Sequence, residues 1–83
     1  SNNKTLLEVG VELGSEAEGK EIKDVNWPET ALLVAIKRGN NEIIPKGSIE
    51  IQSGDYLVVM VDESRASSVL EEIQFLTSAK EEI

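Results

Sequence analysis

Two uninterrupted apolar runs constrain the fold of this chain more than any other feature of its sequence. They are Ala31–Ile36 and Tyr56–Val61. Each run is short, rich in Val, Ile and Leu, and bounded by turn residues, which favours a buried strand over a helix. Since neighbouring residues of a strand point to opposite faces, an unbroken apolar run predicts a strand that is covered on both faces.

The residues between the two runs predict a hairpin and an edge strand. The Gly39–Asn41 segment is a hairpin signal, because Gly and Asn tolerate the positive φ that tight turns require. Pro45 has no backbone N–H, so the Glu42–Ile44 segment is expected to end there or to lie at the edge of a sheet. Gly54, followed by Asp55, predicts a second turn that starts the last strand.

The N-terminal part predicts one more strand and a short helix. Apolar residues alternate with acidic residues and glycine over Leu7–Leu13, which is typical of a half-buried strand. Ser15, with Glu18 three residues later, resembles a capping box and predicts a short helix over about Glu18–Val25. Gly19 weakens this helix, because glycine is a poor helix former.

The C-terminal part predicts an amphipathic helix. Asp62–Ser64 supplies capping residues and acidic charge for its start, and the helix is expected to end at about Ser78. Its apolar positions recur three and four residues apart, at Ala66, Val69, Leu70, Ile73 and Leu76. The order strand, short helix, three or four antiparallel strands and helix predicts a small α+β domain.

Length, charge and composition exclude several kinds of protein. The 83 residues make one small domain, and its net charge of −8 argues against nucleic-acid polymers and anionic lipid as partners. With no Cys and no His, neither disulfides nor a usual zinc site stabilise it, and a reducing, cytoplasmic setting fits. We expect residues 1–5 to be a tag or linker remnant, residues 6–78 the domain, and residues 79–83 a frayed tail.

The sequence gives no indication of an enzyme. Ser64, Ser67 and Ser68 have no His to activate them, and no Cys nucleophile exists. The glycines form neither a Walker motif nor a GxGxxG motif, and no calcium-loop pattern is present. We therefore predict no catalytic residues, no cofactor and no bound metal.

An ordered set of residues in the centre of the chain resembles a known family. The pattern Ile-Lys-Arg-Gly, then Ile-Pro-Lys-Gly, then Gly-Asp-Tyr-Leu-Val-Val is similar to the C-terminal lobe of RCK domains, the TrkA-C family. The resemblance runs from about Leu6 to Leu76, and it rests on Ile36, Arg38, Gly39, Pro45, Gly47, Gly54, Asp55 and Leu57.

The resemblance implies a function and a location. It implies a cytoplasmic regulatory lobe of a bacterial ion channel or transporter, whose membrane-embedded part belongs to the same chain. Members of the family are attached to potassium uptake systems, cation/proton antiporters, chloride channels and anion symporters. The sequence of residues 42–63 is most similar to the tail of bacterial ClC-type chloride channels.

A basic cluster beside the hairpin is the candidate binding site. Lys37, Arg38 and Lys46 are three of only eight basic residues, and they adjoin an apolar segment that suits an anion with a flat apolar part. The resemblance implies cyclic di-AMP, a cyclic dinucleotide, in a pocket shared across a dimer interface. The matching positions are Arg38, Asn41, Ile43, Ile44 and Pro45. The alternative is a solvated hairpin beside an ordinary dimer contact.

The two apolar runs also predict a homodimer. One amphipathic helix and one short helix can cover only one face of the sheet, so the other face needs a partner, and a second copy is the simplest. The alternative is that the N-terminal segment folds over that face. The resulting hypothesis is a ligand-sensing dimerisation domain; its rivals are a purely structural dimerisation module and a stand-alone regulator that docks on a transporter.

Overall fold

This computed structural model describes residues 3–81 of the chain. Four antiparallel strands and one α-helix form the framework of this part. The sheet has the strand order β1-β4-β2-β3. Its central strands, β2 and β4, are the two apolar runs, so the prediction of a small α+β domain with an antiparallel sheet is confirmed. The elements are β1 Lys4–Gly10, β2 Ala31–Arg38, β3 Asn41–Ile43, β4 Tyr56–Asp62 and α1 Ala66–Thr77.

The core lies between the sheet and α1. On β4, Leu57, Val59 and Val61 are buried at alternate positions and pack with the apolar side of the helix. Ile36 of β2 lies directly opposite Leu57 and is fully buried. Burying one such side chain contributes about 1.5–3 kcal/mol, so each of these residues stabilises the fold substantially. The helix residues of the core are Val69, Ile73 and Leu76.

The sheet face opposite α1, here called the open face, keeps apolar side chains exposed. Leu6, Met60 and Leu32 are direct cross-strand neighbours on β1, β4 and β2. Leu6 and Leu32 are each 58% exposed, so no element within residues 3–81 covers these positions. The expectation that the helical part covers only one face of the sheet therefore holds for the described chain.

The prediction of a short helix over Glu18–Val25 is wrong. Only a 3₁₀ turn forms there, at Ile22–Asp24. Gly19 has a φ of +85°, in the left-handed region that a right-handed helix cannot contain. Its N–H donates to the Ile51 carbonyl, and the Ile51 N–H donates to the Lys20 carbonyl. These backbone groups therefore bond to a distant segment instead of forming helical bonds.

The predicted capping box does not form either. The Glu18 carboxylate accepts from the Gly14 N–H at 3.0 Å, whereas a capping box would bond it to the N–H of Ser15. The Ser15 hydroxyl is buried and has no hydrogen-bond partner within residues 3–81. The first strand also lies three residues nearer the N-terminus than predicted: β1 spans Lys4–Gly10 instead of Leu7–Leu13, and Leu13 lies exposed beyond it.

The C-terminal helix is confirmed, but its predicted side-chain caps are absent. A 3₁₀ turn, Glu63–Arg65, precedes α1. The N-cap residue of the turn is Asp62 and that of the helix is Arg65, and neither side chain makes a capping hydrogen bond. The helix has 12 residues. Within residues 3–81, no helix combines the length and the apolar character needed to cross a bilayer.

Ordered structure extends beyond both predicted ends of the domain, residues 6 and 78. β1 begins at Lys4, so Lys4 and Thr5 belong to the sheet. At the other end, the Ala79 N–H donates to the Glu12 carboxylate at 2.7 Å and the Lys80 N–H donates to the Gly14 carbonyl. These two residues are therefore held in place and not frayed. Residues 1–2 and 82–83 of the predicted remnant and tail lie outside the described chain.

The predicted hairpin joins β2 to β3. Arg38 pairs with Asn41 across a two-residue turn, and of the two turn residues only Gly39 has a positive φ, +58°, as the first position of a type II′ turn requires. β3 is the edge strand and ends at Ile43, before Pro45. The turn predicted at Gly54 is also present, with a φ of +88°.

Candidate functional site

The predicted site residues lie on the hairpin and on the segment that leaves it. Arg38 and Asn41 are cross-strand partners, and Ile43 lies opposite the buried Ile36, which places all three on the helix side of the sheet. Ile44 follows β3 and is 74% exposed, whereas Pro45 is half-buried. The hairpin therefore brings the first three together, and the last two lie beyond the strand end.

Arg38 is bound to a buried carboxylate. Its Nε and Nη2 donate to Oδ1 and Oδ2 of Asp55, each at 2.8 Å, and Nη2 also donates to the Glu50 carbonyl at 2.8 Å. Asp55 is 1% exposed and accepts a further bond from the Gln52 N–H at 2.9 Å. The hydrogen bonds to Asp55 raise the pKa of Arg38 above its ordinary value. This bidentate pair, here called the clasp, fixes the loop before β4 to the end of β2.

The clasp changes the role that the sequence predicted for Arg38. Two of its three guanidinium nitrogens are engaged, and the side chain is 31% exposed, so an anion could reach Arg38 only from the outer side. Sequence reasoning treated Asp55 as a turn residue and missed it as the partner. The available signal was the resemblance, which includes both Arg38 and Asp55.

The predicted basic cluster is divided between two faces. Lys37 lies on the open face, where its Nζ is 2.9 Å from Oε1 of Glu8, and this hydrogen bond raises the pKa of Lys37. Arg38, as the next residue along the strand, points to the other face. Both cations are neutralised by acids of the same chain, and Lys46 lies exposed beyond β3. The hairpin therefore presents no single positive patch.

An apolar cavity lies beside Pro45. Its volume is about 220 Å³. The Trp27 ring forms part of the wall and is fixed by a hydrogen bond from its Nε1 to the Ile22 carbonyl at 2.9 Å. The flanking residues Ala31 and Leu33 face the helix side of the sheet, where the cavity lies, whereas Leu32 pairs with Met60 on the open face. The lining consists of Ile22, Trp27, Ala31, Leu32, Leu33, Pro45, Val59 and Ile73.

A larger cavity, about 440 Å³, lies between the β1–β4 edge and α1. Two of its polar side chains are already bonded: Asp55 holds Arg38, and the Thr77 hydroxyl donates to the Ile73 carbonyl at 3.0 Å. Residues 3–81 contain no group of three or more His, Cys, Asp or Glu side chains arranged to hold a metal ion. The apolar cavity beside Pro45 is thus the better candidate for a small ligand.

Comparison with known families establishes the class of this domain. The model of the TrkA-C domain family matches residues 6–74. The chain belongs to the TrkA-C domain family, as the pattern of residues in the centre of its sequence indicated.

Two curated relatives extend the comparison. The chain is 33% identical over 64 residues to the Trk system potassium uptake protein TrkA homolog 1 of Methanosarcina mazei, which covers 77% of this chain and 14% of that protein. It is 31% identical over 55 residues to the Trk system potassium uptake protein TrkA homolog of Archaeoglobus fulgidus, which covers 66% of this chain and 13% of that protein. The chain thus spans a small part of the length of both relatives.

A solved structure shares the fold. It is an RCK domain with cda, and it superposes with a TM-score of 0.66 at 24% sequence identity. The match covers 82% of this chain and 96% of the other. The architecture derived above is therefore that of a known domain.

Proposed function

We propose that this chain is a cytoplasmic regulatory domain of an ion-transport system, specifically of potassium uptake. The observation that carries the proposal is the TrkA-C match across residues 6–74. Both curated relatives above are potassium uptake proteins. They favour a potassium uptake system over the chloride channel that the sequence of residues 42–63 predicted. The membrane-embedded transport part would belong to the same chain; a separate transporter, on which the domain docks, is the alternative.

The domain acts as a homodimer in this proposal. Leu6, Met60 and Leu32 form a continuous apolar row across three strands of the open face. Exposed apolar patches of this kind are uncommon on soluble monomers and mark interaction sites. A two-fold contact would bury the same row on both copies, since an isologous interface uses one patch twice.

A cyclic dinucleotide, cyclic di-AMP, is the proposed ligand at the dimer interface. The apolar cavity beside Pro45 would hold a flat base, because its lining includes Trp27, whose ring is fixed by a hydrogen bond to the Ile22 carbonyl. The RCK domain of similar fold was solved with cda, which supports this class of ligand. Asn41, Ile43 and Ile44 would line the approach, and Arg38 would contribute its outer nitrogen.

Regulation would follow from a difference in affinity. A ligand held between two copies favours one arrangement of the pair, and it can shift the equilibrium only by that difference in binding free energy. The transport part would respond to the arrangement of the two domains.

A purely structural dimerisation module without a ligand is the second candidate. The clasp favours it, because Asp55 already neutralises the arginine that an anion would require. In that case the apolar cavity is a packing defect beside the hairpin and takes no ligand.

Titration with cyclic di-AMP distinguishes the two candidates. Trp27 is the single tryptophan and lines the cavity, so its fluorescence should change saturably, and calorimetry should give one ligand per two chains. Ile44→Ala should weaken binding about tenfold through lost apolar contact. Leu13→Ala is the matched control, since Leu13 and Ile44 are both 74% exposed, and its affinity should equal that of the wild type. If the wild type shows no heat of binding and no fluorescence change, the ligand-sensing role is contradicted and the structural module is favoured.

A further inference from the structure

The C-terminal end of α1 presents a second exposed surface, distinct from the open face and the hairpin. Phe75 is 66% exposed. This ring, with Glu16 and Glu72 beside it, is here called the Phe75 surface.

The Phe75 ring already holds a cation of the same chain. Lys80 Nζ lies 3.7 Å from the ring centroid and donates to the Phe75 carbonyl at 2.7 Å. An ammonium over an aromatic face is attracted by the negative charge of the ring face. The Lys80 contact thus shows that this face of the ring binds a basic side chain, which a partner cation would have to displace.

Two acids adjoin the ring. A cavity of about 240 Å³ is lined by Glu16, Asn26, Pro28, Glu72, Phe75 and Leu76. Glu16 forms an ion pair with Lys20 at 4.0 Å, whereas Glu72 forms none within residues 3–81. The surface therefore combines an exposed aromatic ring with one acid, Glu72, that has no ion-pair partner in the described chain.

We propose that the Phe75 surface docks a basic, amphipathic segment of another polypeptide. Lysine or arginine side chains of that segment would meet Glu16 and Glu72, and its apolar side chains would cover the exposed Phe75 ring. Charge selects this partner: with a net charge of −8, the chain repels nucleic acid, anionic lipid and a second copy of itself at an acidic surface. Lys80 occupies the position that a partner cation would take.

The test uses the 83-residue chain and a short amphipathic helical peptide of leucine and lysine, with a leucine–glutamate peptide as the negative probe. We expect the lysine peptide to bind and the glutamate peptide not to bind. Phe75→Ala should weaken binding about tenfold, as loss of apolar area and of the cation contact predicts. Glu16→Gln combined with Glu72→Gln should weaken it several-fold at low salt.

The matched control changes the same net charge elsewhere. Glu42→Gln combined with Glu63→Gln alters exposed acids on β3 and at the start of the turn before α1, and it should leave the affinity within twofold of the wild type. Equal losses in the two double variants would overturn the proposal, because binding would then depend only on net charge. Wild-type affinity in Phe75→Ala, or no binding by the wild type, would overturn it as well.

Discussion

Arg38 and Asp55 show how one contact can define a candidate site and restrict it at the same time. Both residues are part of the pattern by which the chain resembles its family, and in the fold they bind each other at 2.8 Å. Asp55 lies 17 residues after Arg38, so only the turn at Gly54 and the pairing of β2 with β4 bring them together. Sequence reasoning could locate the hairpin, but it could not determine that the guanidinium was already occupied.

The first prediction concerns the clasp. Arg38→Ala should lower the free energy of unfolding by about 3–5 kcal/mol, because it leaves the buried Asp55 carboxylate without its cation. Chemical denaturation measures this. Arg65→Ala is the matched control, since Arg65 is exposed and outside the clasp, and it should cost much less. Arg38→Ala combined with Asp55→Ala should cost less than the sum of the single changes. If Arg38→Ala were as mild as Arg65→Ala, the structural role of the clasp would be wrong.

Among the elements, the strands were predictable and the first helix was not. The apolar runs that became β2 and β4 carry their own signal, because a buried strand needs apolar residues on both faces. The segment around Gly19 had a capping-box pattern but no apolar periodicity of helical length. Its conformation is set by hydrogen bonds to Ile49 and Ile51, which are partners that local sequence cannot identify.

Gly19→Ala gives a prediction whose sign separates the two accounts of this segment. In a helix the change would stabilise by about 0.5–1 kcal/mol. At a φ of +85° with nothing within 4 Å of the added Cβ, it should instead destabilise by about 1–2 kcal/mol, through backbone strain alone. Thermal unfolding of the two proteins gives the answer. A higher melting temperature for the alanine variant would contradict the observed conformation.

The ion pair of Lys37 on β2 and Glu8 on β1, which spans the strand between them, predicts a pH dependence. The pKa of Lys37 is raised in the folded state by its bond to Glu8, so the pair stabilises fully below the pKa of an unfolded lysine, about 10.4. Its contribution disappears as the pH rises through the folded pKa. Lys37→Gln should therefore lower the melting temperature at pH 8, and the difference from the wild type should shrink above pH 10. Lys46→Gln, a change of an exposed lysine beyond β3, should show no such convergence.

The whole molecule has apolar surfaces that a single copy leaves exposed. α1 covers one face of the sheet, the row of Leu6, Met60 and Leu32 lies on the other, and Phe75 lies at the end of the helix. The sequence predicted the first of these surfaces, because unbroken apolar runs require cover on both faces. It did not predict the second, because Phe75 belongs to a helix whose other apolar residues are in the core.

Self-association through the open face is the central claim, and light scattering after gel filtration tests it most directly. One chain has a mass of 9.1 kDa. At micromolar concentration, the molar mass of the wild type measured by light scattering should be twice that value. Leu32→Glu should return it to the single-chain mass, because the charge would be buried in the contact. Leu13→Glu, which alters an exposed leucine outside the open face, should leave the mass doubled. A single-chain mass for the wild type at every concentration, or equal disruption by both changes, would contradict the account.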